Sequence, residues 1–185
     1  IAWSSYFGNE VPVAFVQYLA DIVQRNIPVL NFRLFEGLSS ELSAIFSALK
    51  FNQFFRRIEI SELPKKDSLP QFLELFRRNS FITEISFTNF ENSSELAEIF
   101  PAISENPRKM IQKFEFVNCK FSEKAMGSFC SIFEGLQYGL LKIDLTDANL
   151  TGKTFASFFA ALKNNLPSGL CLEELVGKKT TQEKK

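Results

Sequence analysis

The chain has 185 residues, 45% of them apolar, and its 21 Lys and Arg are matched by 21 Asp and Glu, so it can bury a folded core but carries no net field to gather nucleic acid or an anionic membrane. Histidine is absent, which removes the usual general base, the neutral imidazole metal ligand and the side chain that titrates near neutral pH. Cys119, Cys130 and Cys171 form no CxxC pair and no apolar run reaches the ~18 residues a bilayer span needs, so the expectation is a cytoplasmic protein with no metal site, no cofactor and no direct membrane insertion.

In chain order, Ile1 and Trp3 read as the tail of a strand, and a chain opening inside a strand reads as a piece of a longer protein. Strand phrases follow through Ile27, Leu30 and Phe32, and through Phe55, Ile58 and Ile60. Clearer copies are Phe-Ile-Thr-Glu-Ile-Ser-Phe-Thr-Asn-Phe at 81–90, Met-Ile-Gln-Lys-Phe-Glu-Phe-Val-Asn-Cys at 110–119 and Gly-Leu-Leu-Lys-Ile-Asp-Leu-Thr-Asp-Ala at 139–148, with a truncated one at Leu172 and Leu175. Between phrases the apolar period changes from two to about 3.6, which predicts helices. Examples are Leu42, Ile45, Phe46 and Leu49; Leu96, Ile99, Phe100 and Ile103; and Phe155, Phe158, Phe159 and Leu162. Ser40, Asp67, Ser94, Ser122 and Thr151 stand near helix starts as N-caps, and Pro70 falls in a first turn. Asn26, Asn52, Asn79, Asn106 and Asn165 stand near helix ends, where a residue that accepts a left-handed conformation closes a helix.

The central apolar residue of each phrase gives the markers Ile1, Leu30, Ile58, Ile85, Phe114, Ile143 and Leu175, at intervals of 29, 28, 27, 29, 29 and 32. Each phrase fits L-x-x-L-x-L-x-x-N/C-x-L, as in Ile111, Phe114, Phe116, Cys119 and Phe121, or Leu140, Ile143, Leu145, Ala148 and Leu150. One short strand and one helix cannot bury an apolar face alone, whereas stacked copies share a continuous core. Parallel strands ~4.8 Å apart with wider helices behind them must curve. The expected fold is therefore α/β: a curved horseshoe segment of a solenoid, with parallel strands on the concave face and helices on the convex face. It should span 1–176 in about six β-α repeats, with a polar disordered tail at 177–185.

These repeats resemble the ribonuclease-inhibitor type of leucine-rich repeat, over nearly the whole chain. Within that type they look most like the repeat domain of CARMIL-class actin capping-protein regulators, or like RanGAP and NLR-type receptors. The resemblance implies a cytoplasmic protein-interaction surface. Leu63, Phe90 and Ala148 depart from the pattern where Asn or Cys usually meets backbone groups, and only Cys119 keeps it.

Strand neighbours alternate between faces, so three rows of side chains should line the concave wall. The middle row reads Asn31, Glu59, Ser86, Glu115 and Asp144; the row before it reads Val29, Arg57, Glu84, Lys113 and Lys142; the row after it holds Arg33, Ser61, Thr88, Val117 and Thr146. Acid beside base can simply solvate the face, or select a partner electrostatically. Arg77 and Arg78 complement a helix C-terminus, and no nucleic-acid role is expected for the basic pairs. Trp3, Tyr6, Phe7, Tyr18 and Tyr138 are the candidate exposed aromatic anchors.

The leading expectation is a non-enzymatic protein-interaction module, a scaffold or regulator with another protein as its partner, in actin-cytoskeleton control if the family resemblance extends that far. The alternatives are a GTPase-activating, RanGAP-like repeat protein, with Arg33 or Arg57 as the arginine to test, and an architectural spacer or dimerisation arm. Ile1, Trp3, Leu172 and Leu175 would leave apolar rungs at the ends, through which copies could self-associate.

Overall fold

A computed structural model describes residues 13–32, 42–64, 67–134, 136, 138–146, 148–165, 172 and 174–177. Helix α1 (Val13–Gln24) precedes strand β1 (Val29–Asn31), and the alternation then repeats. It runs through α2 (Leu42–Leu49), β2 (Arg57–Ile60), α3 (Leu69–Arg78), β3 (Glu84–Thr88), α4 (Ser93–Ser104) and β4 (Lys113–Val117). Helix α5 (Glu123–Cys130) is extended by a 3-10 turn (Ser131–Phe133), and β5 (Lys142–Asp144), α6 (Gly152–Asn165) and β6 (Glu174–Val176) follow. The class is α/β, with the six strands in one sheet in chain order, every neighbouring pair parallel. Parallel neighbours need a crossover, and the helices supply it.

The register is the one the sequence period dictates. Leu30 lies opposite Ile58, Ile58 opposite Ile85, Ile85 opposite Phe114, Phe114 opposite Ile143 and Ile143 opposite Leu175. Ile1, with Trp3, Tyr6 and Phe7, lies outside the described residues, as do Arg33, Ser40, Cys171 and the tail from 178 onward.

Alternate strand residues and one face of each helix share the core. Leu96, Ile99, Phe100 and Ile103 of α4 are all buried, as expected, and so are Phe114 and Phe116 of β4. Helix α6 departs from expectation: Phe158 and Leu162 are buried, but Phe155 is 51% and Phe159 41% exposed. The two exposed rings meet each other at 4.6 Å, on a flank of α6 that has no next helix among the described residues to cover it. Phenylalanine fills the centre of the stack. The Phe100 ring lies 5.2 to 6.2 Å from those of Phe87, Phe116, Phe121 and Phe129, mostly edge-on or tilted, while Phe87 and Phe116 stack at 5.3 Å across neighbouring strands. Such offset and edge geometries are the ones the ring quadrupole favours.

The helix starts follow expectation in part. Ser122 Oγ accepts from the Ala125 N–H at 3.1 Å and Thr151 Oγ1 from the Thr154 N–H at 3.2 Å. At α4, however, the cap is Asn92, whose side-chain oxygen accepts from the Ser94 N–H at 3.1 Å; Ser94 is already inside the helix. At α3 the boundary residue is Ser68, with Asp67 one position further out.

The helix ends correct the sequence reading more deeply. Asn26 is left-handed, at φ 55°, but Asn79 leaves α3 extended, at φ −73° and ψ 123°. Its side chain does the work instead. Asn79 Oδ1 accepts from the N–H groups of Phe81 and Ile82, and its Nδ2 donates to the carbonyls of Leu49 and Asn52 in the preceding repeat, at 2.8 and 2.9 Å. Asn106 does the same one sequence repeat later, donating to Phe76 and Asn79 carbonyls at 2.7 and 2.8 Å and accepting from the Arg108 N–H at 2.9 Å. Asn52 makes the accepting half, to Phe54 and Phe55. These residues form a ladder that satisfies helix-end carbonyls across repeats.

Cys119 is fully buried, with its Sγ 3.4 Å from the Phe87 carbonyl, and burial raises its thiol to about 11; Cys130 is likewise raised to about 11. The unfolded chain then loses thiol protons before the folded one, from about pH 9 upward, so the fold binds more protons between pH 9 and 11 and stability falls as pH rises. Thermal melting of wild type should lose up to about 2 kcal/mol more across this window than Cys119→Ala does. Parallel curves for the two proteins would contradict this.

Candidate functional site on the open sheet face

The predicted rows come together on the face of the sheet turned away from the helices. Register places Asn31, Glu59, Ser86, Glu115 and Asp144 side by side, and Arg57, Glu84, Lys113 and Lys142 in the adjacent row, which continues to Glu174. Ser61 and Thr88 stand at the far ends of β2 and β3, and Thr146 follows β5.

Arg57 is the hub. Its Nε lies 3.0 Å from Glu59 Oε1, its Nη1 3.5 Å from Glu84 Oε2 and its Nη2 2.6 Å from Glu115 Oε2, two strands away. Lys113 reaches Glu84 at 2.8 Å, and Asn31 Nδ2 donates to Glu59 Oε2 at 3.0 Å. The Arg57 side chain is 23% exposed, and its hydrogen bond to Glu115 is the main cause that holds its pKa above the ordinary guanidinium value. At the other end Lys142 lies 3.8 Å from Asp144 and 3.6 Å from Glu174, and Asp144 Oδ1 accepts from the Thr146 N–H at 2.9 Å. Counting Glu59, Glu84, Glu115, Asp144 and Glu174 against Arg57, Lys113 and Lys142, the described face carries five carboxylates and three cations. It is net acidic although the chain as a whole is neutral.

This wiring bears on the arginine-finger alternative. A guanidinium held by three carboxylates is spent on its own fold and is not poised for a phosphate in trans. Arg33 lies outside the described residues. Arg57→Met should destabilise the chain by about 1–3 kcal/mol, because it leaves Glu59, Glu84 and Glu115 facing one another, and the loss should shrink in high salt. A loss below measurement error in urea unfolding at low salt would contradict this.

Arg77, Arg78, Arg56 and Lys109, away from this face, are likewise engaged. Arg77 meets Glu105 at 2.6 Å, Arg78 meets Glu74 at 2.9 Å, Arg56 lies over the Phe81 ring, and Lys109 donates to the Glu134 carbonyl. Among the candidate anchors Tyr138 is 46% exposed, whereas Tyr18 packs partly against the core. Sequence reasoning named Leu175 at an exposed apolar end but placed Phe155 and Phe159, which lie exposed beside it, in the core. At the β6 edge Phe155, Phe159 and Leu175 line an apolar cleft of about 550 Å³ with Leu145 and Leu150. No helix among the described residues is long and apolar enough to cross a membrane.

No family model matches the chain. It is 21% identical over 127 residues, 68% of its length, to the Rho GTPase-activating protein gacW of Dictyostelium discoideum, and it spans 11% of that protein's length.

Proposed function

We propose that the chain is a leucine-rich-repeat array of the ribonuclease-inhibitor-like type whose open sheet face holds another protein. The observation that carries this reading is the coincidence of the sequence period with the sheet register, repeat by repeat, which lines charged and hydroxyl side chains in rows on one uncovered face. The likeness to a Rho GTPase-activating protein supports a setting in GTPase regulation. In that setting the array acts as a docking or positioning element, since Arg57 is committed to carboxylates.

The test is affinity capture from the source cytosol with wild type and with a variant in which Arg57, Glu59, Glu84, Lys113 and Glu115 all become Ser. Removing both sides of each ion pair leaves no charge stranded, so the variant should keep its fold by circular dichroism. A protein retained by wild type and lost from the folded variant is the expected result. Equal retention would place recognition elsewhere on the chain.

A further inference from the structure

On the open face, β1, β2 and β3 border a depression of about 170 Å³ lined by Asn31, Glu59, Ile60, Ser61, Ser86 and Thr88. We propose that this depression is a subsite for the ammonium end of a lysine side chain presented by a protein partner. The inference rests on the reading of the sheet face as the binding wall and names the chemistry of what binds there.

Ser86 is the key residue. It is 6% exposed, lines the depression, and its hydroxyl has no hydrogen-bond partner among the described residues. Its oxygen keeps contact with solvent, so it is open to a guest in the depression. Ser61 and Thr88 bring two further hydroxyls, neither engaged through its side chain among the described residues. Glu59 brings the charge. Its Oε1 takes the Arg57 Nε–H and its Oε2 the Asn31 amide, each at 3.0 Å, and each oxygen can accept once more.

The favoured guest is cationic, because Glu59 is the one charged side chain among the residues that line the depression. An ammonium offers three donors and no acceptor, which suits a ring of hydroxyls beside one carboxylate. A guanidinium fits less well. Its planar fork needs both carboxylate oxygens free in one plane, and here Arg57 and Asn31 already hold them.

The full chain, ¹⁵N-labelled, is titrated by NMR with Nα-acetyl-lysine N-methylamide, and in parallel with its norleucine and arginine counterparts. Lysine should produce saturable shifts at the amides of residues 59–61 and 86–88. Norleucine should produce none, and arginine should bind at least about threefold more weakly. Ser86→Ala should weaken lysine at least about fivefold while leaving the melting temperature close to that of wild type, since the hydroxyl makes no side-chain hydrogen bond within the described fold; Thr88→Val is the second variant, with the same sign. An equal response to norleucine, no saturation below about 100 mM, or undiminished binding by Ser86→Ala overturns the subsite. If that happens while the five-serine variant still loses its captured protein, the subsite alone is wrong. If the variant keeps its protein, the face reading is wrong, and the titration judges the depression by itself.

Discussion

Asn106→Ala should lower stability by about 2–4 kcal/mol, a loss of roughly 5–15 °C in melting temperature for a chain of this size. The side chain is buried, donates to two carbonyls of the preceding repeat and accepts one N–H of its own turn. Alanine leaves the carbonyls of Phe76 and Asn79 without that donor and the Arg108 N–H without that acceptor, in a gap too tight for easy hydration. Asn106→Asp should do no better, because it sets a carboxylate against two carbonyl oxygens. The control is Asn118→Gly, at an exposed residue with φ 54°, where glycine adopts the backbone freely and the change should stay within about 0.5 kcal/mol. Similar melting shifts for Asn106→Ala and the control would show that the ladder does not tie repeats together.

Phe100→Ala should cost about 3–5 kcal/mol in urea unfolding, with little change in the slope. Phe100 is fully buried and its ring meets those of Phe87, Phe116, Phe121 and Phe129. Those rings come from two strands, the turn after β4 and helix α5, so the cavity left by alanine cannot collapse without shifting the sheet against the helices. Phe51→Ala, at a residue 69% exposed, should cost under about 0.5 kcal/mol. A loss near 1 kcal/mol for Phe100→Ala would mean that the aromatic centre repacks freely and does not fix the register.

Strand positions and their register were legible in the sequence, because side chains alternate in a strand and a one-residue slip would turn Ile58, Ile85 and Phe114 outward. The helix ends were legible in place but not in mechanism. Asn79 and Asn106 were read as left-handed closers, and what they do depends on carbonyls 27 and 30 residues earlier, a separation no local pattern reports. The rows of the open face could be listed from alternation alone. That Arg57 reaches Glu115 at 2.6 Å, across two strands, more closely than Glu84 in the neighbouring strand, follows from side-chain length and rotamer, which sequence does not carry. Ser86 illustrates the same limit. It was read as one more exposed residue of the row, yet it is 6% exposed and sits at the floor of a depression beside Glu59.

Hydrogen–deuterium exchange of the chain, alone and with the protein it captures, tests the central claim most directly. Binding on the open face should slow exchange in residues 57–60, 84–88 and 113–117 and leave helices α3, α4 and α5 unchanged. Protection confined to those helices, with the strands unaffected, would contradict the assignment of the sheet face as the binding wall.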